Sequence, residues 1–427
     1  MLRWLIKFGG YTTILRVIAI GVSLAFVSAL SLWMPKDDYG LLAMVVSVAT
    51  LAAAIAGFGQ AELAVREVSP LVAREETEQA QAYLHEAYGL VLAVSVLTGA
   101  AIGAYFLIAG YSASVAGSAG LITSLLGINL VLSGAARSQD RYFLAFAPKD
   151  ILWRGAAILA TGALFFGGFS TTIDVVAPLC AVVLLVIVGG QAARLSFSPR
   201  KLMGSIANSF GGERMGAGAA LMFSAVALTA MNTVDVFLVG ERMSPTVAAE
   251  YFPANRIALM CGFFLLPMQM VIMPRIAVMM RENDMPGVRK LFTYATLLIG
   301  AASIVTGAVL VFAYPLYAPL FGTASGATRE SLTILVAGYA IGGLFGLPGI
   351  ILITAKRQKL LALVNIGCAL CAVAALILVT GTGGLSAVAY TVAGFELLRK
   401  ILIALSAYLA AGVAPFSFSS FSTNRVS

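Results

Sequence analysis

Charge is scarce in this chain. Asp, Glu, Lys and Arg together make up 11% of its 427 residues, against roughly 25% in soluble domains. With 60% of residues apolar, too little polar surface is left to face water, which excludes an ordinary soluble fold. Histidine is scarcer still. His85, beside Glu86, is the only one, and a lone interfacial histidine reads as incidental. The four cysteines, Cys180, Cys261, Cys368 and Cys371, all sit in apolar stretches and read as small hydrophobes rather than a disulfide framework. Cys368 and Cys371 form a CxxC, but no His or Asp partners accompany them, so no metal or other cofactor is expected. Strictly alternating apolar and polar runs of about ten residues, the mark of a membrane barrel, are also missing. What the chain has instead is continuous apolar runs of about twenty residues, the length of a membrane-spanning helix.

Twelve such spans are predicted, at about 11–33, 39–62, 84–109, 116–135, 151–168, 172–193, 215–240, 248–274, 291–314, 328–354, 360–380 and 384–412. The N-terminus has the look of a signal peptide, with Arg3 and Lys7 ahead of an apolar stretch. Arg16 interrupts it and the run is too long, so it reads as an uncleaved first span. Trp33, Tyr39, Tyr111, Tyr314 and Tyr317 fall near span ends, as an aromatic belt requires. Lys and Arg alternate in number from loop to loop, about twenty on one side against three (Lys36, Arg242 and Arg329) on the other. The positive-inside rule puts the richer side, and both termini, in the cytoplasm. That bias accounts for the net charge of +8 without a nucleic-acid partner. The expected location is the cell inner membrane, in contact with membrane lipids.

The stretch from Leu63 to Tyr83 reads as an amphipathic surface helix on the cytoplasmic side. Residues 196–214, with Pro199, Gly211 and Gly212, fall at the middle of the chain. They are the expected linker between a six-helix half at 1–195 and a second at 215–427. Asp38-Tyr39-Gly40 opens the second span and Glu250-Tyr251-Phe252 the eighth, a faint echo. Six spans per half would make any repeat parallel, about an axis along the membrane normal.

An ionisable side chain inside a span costs about 2.5–3.5 kcal/mol on insertion scales, so such residues face a cavity or a partner. Asp235 near the end of the seventh span and Arg256 two turns into the eighth stand at similar depth. They suit a buried pair lining a cavity, or a structural pair holding the hairpin. Glu396, Arg399 and Lys400 share one face of the last span by their i, i+3 and i+4 spacing. They either line a cavity or mark where the span ends and its cations snorkel to the interface. Arg16 and Glu62 lie near the cytoplasmic face, as a gate-like pair or as snorkelling groups. Several prolines, among them Pro178, Pro253, Pro267, Pro274 and Pro348, lie in or at the ends of spans and permit bends.

Particular stretches carry a family resemblance. Asp38-Tyr39-Gly40 follows the first span and precedes a run ending in Gly57-Phe58-Gly59 and then Arg66. In the second half, Asp235-Val-Phe-Leu-Val-Gly240 leads to Ala248-Ala-Glu-Tyr251, Ala254-Asn-Arg256-Ile257 and Pro274-Arg275-Ile276-Ala277. The chain resembles the Wzx-like polysaccharide flippases of the multidrug/oligosaccharidyl-lipid/polysaccharide (MOP) superfamily. The resemblance implies an all-α integral membrane fold of about twelve helices in two six-helix halves around a central cavity. It also implies a non-enzymatic function, flipping of an oligosaccharide on polyprenyl pyrophosphate to the periplasmic leaflet by alternating access. Surface-polysaccharide polymerase machinery would then be a partner. On that reading Arg256, Arg399 and Lys400 bind the anionic headgroup, and Asp235 and Glu396 carry a coupling proton or cation.

Many members of that family have fourteen spans rather than twelve. Twelve is the number in the drug-exporting branch of the superfamily. A cation-coupled exporter of the same architecture is therefore the alternative, and it would favour an acidic, aromatic cavity. A membrane polymerase or ligase would need a large periplasmic loop with Arg and His. The longest such loop expected here, about residues 313–327, has no histidine.

Overall fold

The computed structural model describes residues 2–195, 213–263, 265–321, 325–355 and 357–413. The expected linker at 196–214 falls almost wholly outside the described residues. Every regular element among the described residues is helical. In chain order these are α1 (Leu2–Trp33), α2 (Lys36–Ala56), α3 (Gln60–Ala73), α4 (Thr77–Ile108), α5 (Ala113–Ser138) and α6 (Tyr142–Ala147), then a π turn (Pro148–Leu152). There follow α7 (Trp153–Phe166), α8 (Ile173–Arg194), α9 (Glu213–Arg242) and α10 (Pro245–Ala258). Next come α11 (Leu265–Arg281), α12 (Met285–Phe312), α13 (Tyr314–Tyr317) and α14 (Gly326–Gly343). The last are α15 (Pro348–Thr354), α16 (Gln358–Thr382) and α17 (Leu385–Ala411).

Eight of these helices are individually long and apolar enough to cross a membrane, and α14 with α15, bent by 44°, makes a ninth span. The other three expected spans coincide with helical stretches that are broken or charged. They are residues 142–166, interrupted by the π turn, residues 245–281, interrupted between α10 and α11, and α17 with Glu396, Arg399 and Lys400. The architecture is that of an all-α membrane protein of about twelve spans.

The structure corrects the sequence reading in three places. The fifth span begins at Tyr142 rather than near 151, because Lys149, Asp150 and Arg154, which look like loop residues, lie within the helix. Tyr39 does not join an interfacial belt. It is only 2% exposed, because α2 is enclosed by protein. The amphipathic segment also takes shape earlier than expected, as α3, and α4 has already begun at Thr77.

The chain divides into two compact units. The N-terminal unit comprises residues 10–249 and 320–322, and the C-terminal unit comprises 1–9, 250–319 and 323–427. In the N-terminal unit α2 is the central helix. Its most apolar stretch is 83% buried, whereas that of α4 is 22% buried, so α2 faces protein and α4 faces lipid. Small residues bring the other helices close to it. A Cβ on Gly40 would overlap the Pro245 carbonyl, and one on Gly240 would overlap Met44, so α9 runs tightly along α2 within this unit. Gly59 has φ +66°, the left-handed conformation that glycine adopts without strain, and starts α3 where Gly218 of α9 passes. Gly134 of α5 sits on the backbone of Ala61, where an added Cβ would lie 2.5 Å from the Ala61 Cα. Gly134→Val should therefore destabilise the protein by about 1–3 kcal/mol, the scale of overpacking a tight interface. A fall in melting temperature of the detergent-solubilised variant tests this, and an unchanged melting temperature would refute the close contact.

The C-terminal unit has its own core. Ile272 and Ile276 of α11, Phe292 of α12, Ile351 of α15 and Ile403 and Ala407 of α17 are buried together. Gly338 of α14 lets Ala393 of α17 approach, so these two helices also pack closely. Leu363, Leu370 and Leu378 line an exposed face of α16, which suits contact with lipid chains.

Candidate functional site

The π turn at Pro148 originates in local chemistry. Proline has no amide hydrogen, so it cannot donate to the carbonyl four residues back. That carbonyl belongs to Leu144. Gln191 of α8 supplies the missing donor, its Nε2 donating to the Leu144 oxygen at 2.9 Å. After the proline the helix widens, and the Trp153 amide donates to the Pro148 carbonyl, five residues back rather than four. One added residue turns everything beyond it by about 100° relative to an uninterrupted helix. Trp153 is fully buried there and anchors the helix through its Nε1, which donates to the Cys180 carbonyl at 3.1 Å. The same device recurs on α8, where Pro178 leaves the Asp174 carbonyl without its helical donor and Ser114 Oγ donates to it at 2.9 Å.

The π turn borders a cavity of about 280 Å³ lying wholly within the N-terminal unit. Glu62 of α3, Asn129, Ser133 and Arg137 of α5, Phe146 of α6, Lys149 and Asp150 of the π turn and Thr229 of α9 line it. Asn129 is fully buried and donates through Nδ2 to Gln191 Oε1 at 2.7 Å. One hydrogen-bonded chain thus joins the carbonyl left free by the proline to the cavity wall. Arg137 pairs with Glu62 at 3.5 Å, and Arg154 with Asp150 at 3.5 Å. Arg16 stands over the Phe146 ring, 5.4 Å from its centroid, within reach of the charges of Asp150 and Arg137. Glu62 therefore has Arg137 as its ion-pair partner, and Arg16 packs against Phe146 of the cavity wall.

A second charged cluster lies in the C-terminal unit. Arg399 donates to Glu396 through Nη2 at 2.6 and 2.7 Å and through Nε at 3.0 Å, and through Nη1 to Asn365 Oδ1 of α16 at 3.3 Å. The two charged side chains are 13% and 10% exposed. α17 continues twelve residues beyond Arg399, so the span does not end there, and Arg399 turns to Glu396 and Asn365 within the protein. The stem of Lys400 lies against Gly342 of α14.

The remaining residues singled out from the sequence fall elsewhere. Asp235 is fully buried on α9 in the N-terminal unit. Arg256 on α10, in the C-terminal unit, stands over the Phe252 ring, 4.9 Å from its centroid. Near it Glu250 accepts from Ser325 at 3.1 Å, and its carbonyl accepts from Thr328 at 3.3 Å. His85 contacts the Gln81 carbonyl at 2.7 Å. No group of three or more His, Cys, Asp or Glu capable of holding a metal occurs among the described residues.

The sequence reading passed over Arg137, Lys149, Asp150 and Arg154 as loop charges, and over Asn129 and Gln191 because they are neutral. The available signal was an amide side chain inside each of two apolar spans, beside a proline-bearing stretch whose apolar pattern runs on through its charges.

No family model matches this chain, and no curated protein does. Solved structures match it over nearly its whole length. An inward-facing multidrug resistance MATE family transporter of the MOP superfamily aligns with TM-score 0.67 and 14% identity, over 97% of this chain and 96% of that one. An outward-facing structure described in the same terms aligns with TM-score 0.61 and 16% identity, over 98% and 97%. A MOP superfamily transporter from Pyrococcus furiosus, whose binding pocket is described as having reverse polarity suggesting a different function, aligns with TM-score 0.60 and 16% identity, over 95% and 96%. The chain has the fold of MOP superfamily transporters.

Proposed function

We propose that the chain is a multi-pass membrane transporter that works by alternating access and exports amphiphilic small molecules. The observation that carries this reading is the end-to-end likeness to multidrug transporter structures of the same fold, in both inward-facing and outward-facing conformations. The two charged clusters supply what such a protein requires, polar groups held inside otherwise apolar helices. On this reading Glu396 and Asp235 are the candidates to carry a coupling proton or cation, and Arg256, Arg399 and Lys400 the candidates to meet the cargo. The protein would sit in the inner membrane with both termini cytoplasmic, as the Lys and Arg bias of the loops requires.

A second reading, the flipping of polyprenyl-pyrophosphate-linked oligosaccharide for surface polysaccharide, is favoured by one feature. Cations outnumber acids in both clusters, which suits an anionic cargo better than a cationic drug.

A gene deletion read in two ways separates them. Hypersensitivity to a panel of amphiphiles with normal glycan lipids supports export. Accumulation of polyprenyl-linked glycan on the cytoplasmic leaflet, with surface polysaccharide lost, supports flipping. If neither changes in a strain without redundant transporters, both readings fail.

A further inference from the structure

We propose that the cavity beside the π turn is a binding site for a small dianion, a phosphate-type group, with Lys149 as its principal ligand and Arg16, packed on the Phe146 wall, adding positive charge. The inference rests on the transporter reading only in placing that group on a cargo or lipid. The binding itself can be measured without transport.

The first observation is a pair of cations that stand in no ion pair among the described residues. Lys149 is half-buried on the cavity wall and makes no hydrogen bond or ion pair among the described residues. Arg16 has its ring contact with Phe146, but its buried Nε has no hydrogen-bond partner. A buried donor left unsatisfied is expensive, and more so when charged. The second observation is the charge count. Arg137 and Lys149 share the cavity wall with Glu62 and Asp150, and Arg16 and Arg154 add to them through Phe146 and Asp150, so the cluster as a whole carries a surplus of two positive charges. A dianion balances it, whereas a carboxylate leaves one charge unmatched and a cationic ligand worsens the imbalance. Both existing pairs are loose at 3.5 Å, so Arg137 can turn toward a ligand.

The third observation is size. A volume of 280 Å³ is many times the ~10–15 Å³ that one water needs on the same measure. That holds a phosphate-type group with its remaining hydration. The fourth is support. The Gln191–Asn129 chain and the buried Trp153 fix the π turn from behind, so Lys149 is presented from a braced element. π turns in helices occur frequently at functional sites.

The test is titration calorimetry on the purified full chain in detergent at about pH 8, where phosphate monoesters are dianionic. The probes are inorganic phosphate, short-chain phosphatidic acid as a lipid phosphate, and acetate. Phosphate should bind more tightly than acetate. Lys149→Gln should weaken it by about tenfold or more, the scale of one charge-assisted hydrogen bond, and Lys149→Arg should retain most of the binding.

Binding of both phosphates with this dependence supports a site that reads the phosphate alone. Binding of phosphatidic acid only, with the same loss in Lys149→Gln, supports the site and identifies a lipid headgroup as its source. Acetate binding as tightly as phosphate, or a folded Lys149→Gln protein that binds unchanged, overturns the proposal. Intact phosphate binding in a protein that transports nothing would sink the transporter reading and leave this one standing.

Discussion

Glu396→Leu alone will cost the protein about 3–5 kcal/mol, and Glu396→Leu with Arg399→Leu will recover most of that loss. Glu396 lies eleven residues from one end of α17 and fifteen from the other, about 16 and 22 Å at ~1.5 Å per residue. Removing the carboxylate leaves a guanidinium deep in the helix with only the Asn365 carbonyl to accept from it. Taking one partner from a buried pair is expensive for that reason, whereas replacing both with apolar residues is often neutral. Unfolding in mixed micelles, with all four forms compared, gives the coupling directly. A loss in the double variant equal to the sum of the two single losses would mean that the three short contacts between the two side chains contribute no coupling. Loss of transport in the double variant at restored stability would place the pair in the working machinery rather than in the scaffold.

Gln191→Leu will cost roughly 2–4 kcal/mol, because it strands two buried groups at once, the Leu144 carbonyl and the Asn129 amide. Part of that loss has a specific remedy. Pro148→Ala returns an amide at position 148, which can donate to Leu144 within the helix as any non-proline residue would. The double variant Pro148→Ala/Gln191→Leu should therefore be more stable than Gln191→Leu alone, while Pro148→Ala in the natural background gains much less. Thermal unfolding in detergent measures all three. If Pro148→Ala gives no relief, Gln191 is not standing in for the proline's missing donor.

The sequence made the architecture legible because a bilayer imposes a simple rule. Runs of about twenty apolar residues separated by charged loops have few other solutions, and the twelve runs all coincide with helical stretches. It was less informative where a span carries polar groups. The stretch Pro148-Lys149-Asp150 has the composition of a loop, and only the surroundings reveal that Gln191 and Asn129 make it tenable inside a helix. Tyr39 shows the converse, since its place beside a span end suits an interface, and only the enclosure of α2 sends it inward.

Residue type alone picked out charged residues, but partners are a matter of three dimensions. The sequence set Arg16 against Glu62, and the helix that delivers Arg137 to Glu62 begins about fifty residues later. Arg399 and Glu396 were placed on one face but not paired, although they lie one helical turn apart on the same helix.

The proline at 148 also has a consequence for how such a sequence can drift. A descendant that loses Pro148 regains a backbone donor for Leu144, and the Gln191 amide then has no carbonyl to serve. A descendant that loses Gln191 first keeps an open carbonyl until the proline goes too. The two positions lie on different helices, 43 residues apart in the chain, yet each sets the cost of changing the other. In an alignment of close relatives they should covary, with glutamine or another side-chain donor at 191 wherever proline is kept at 148.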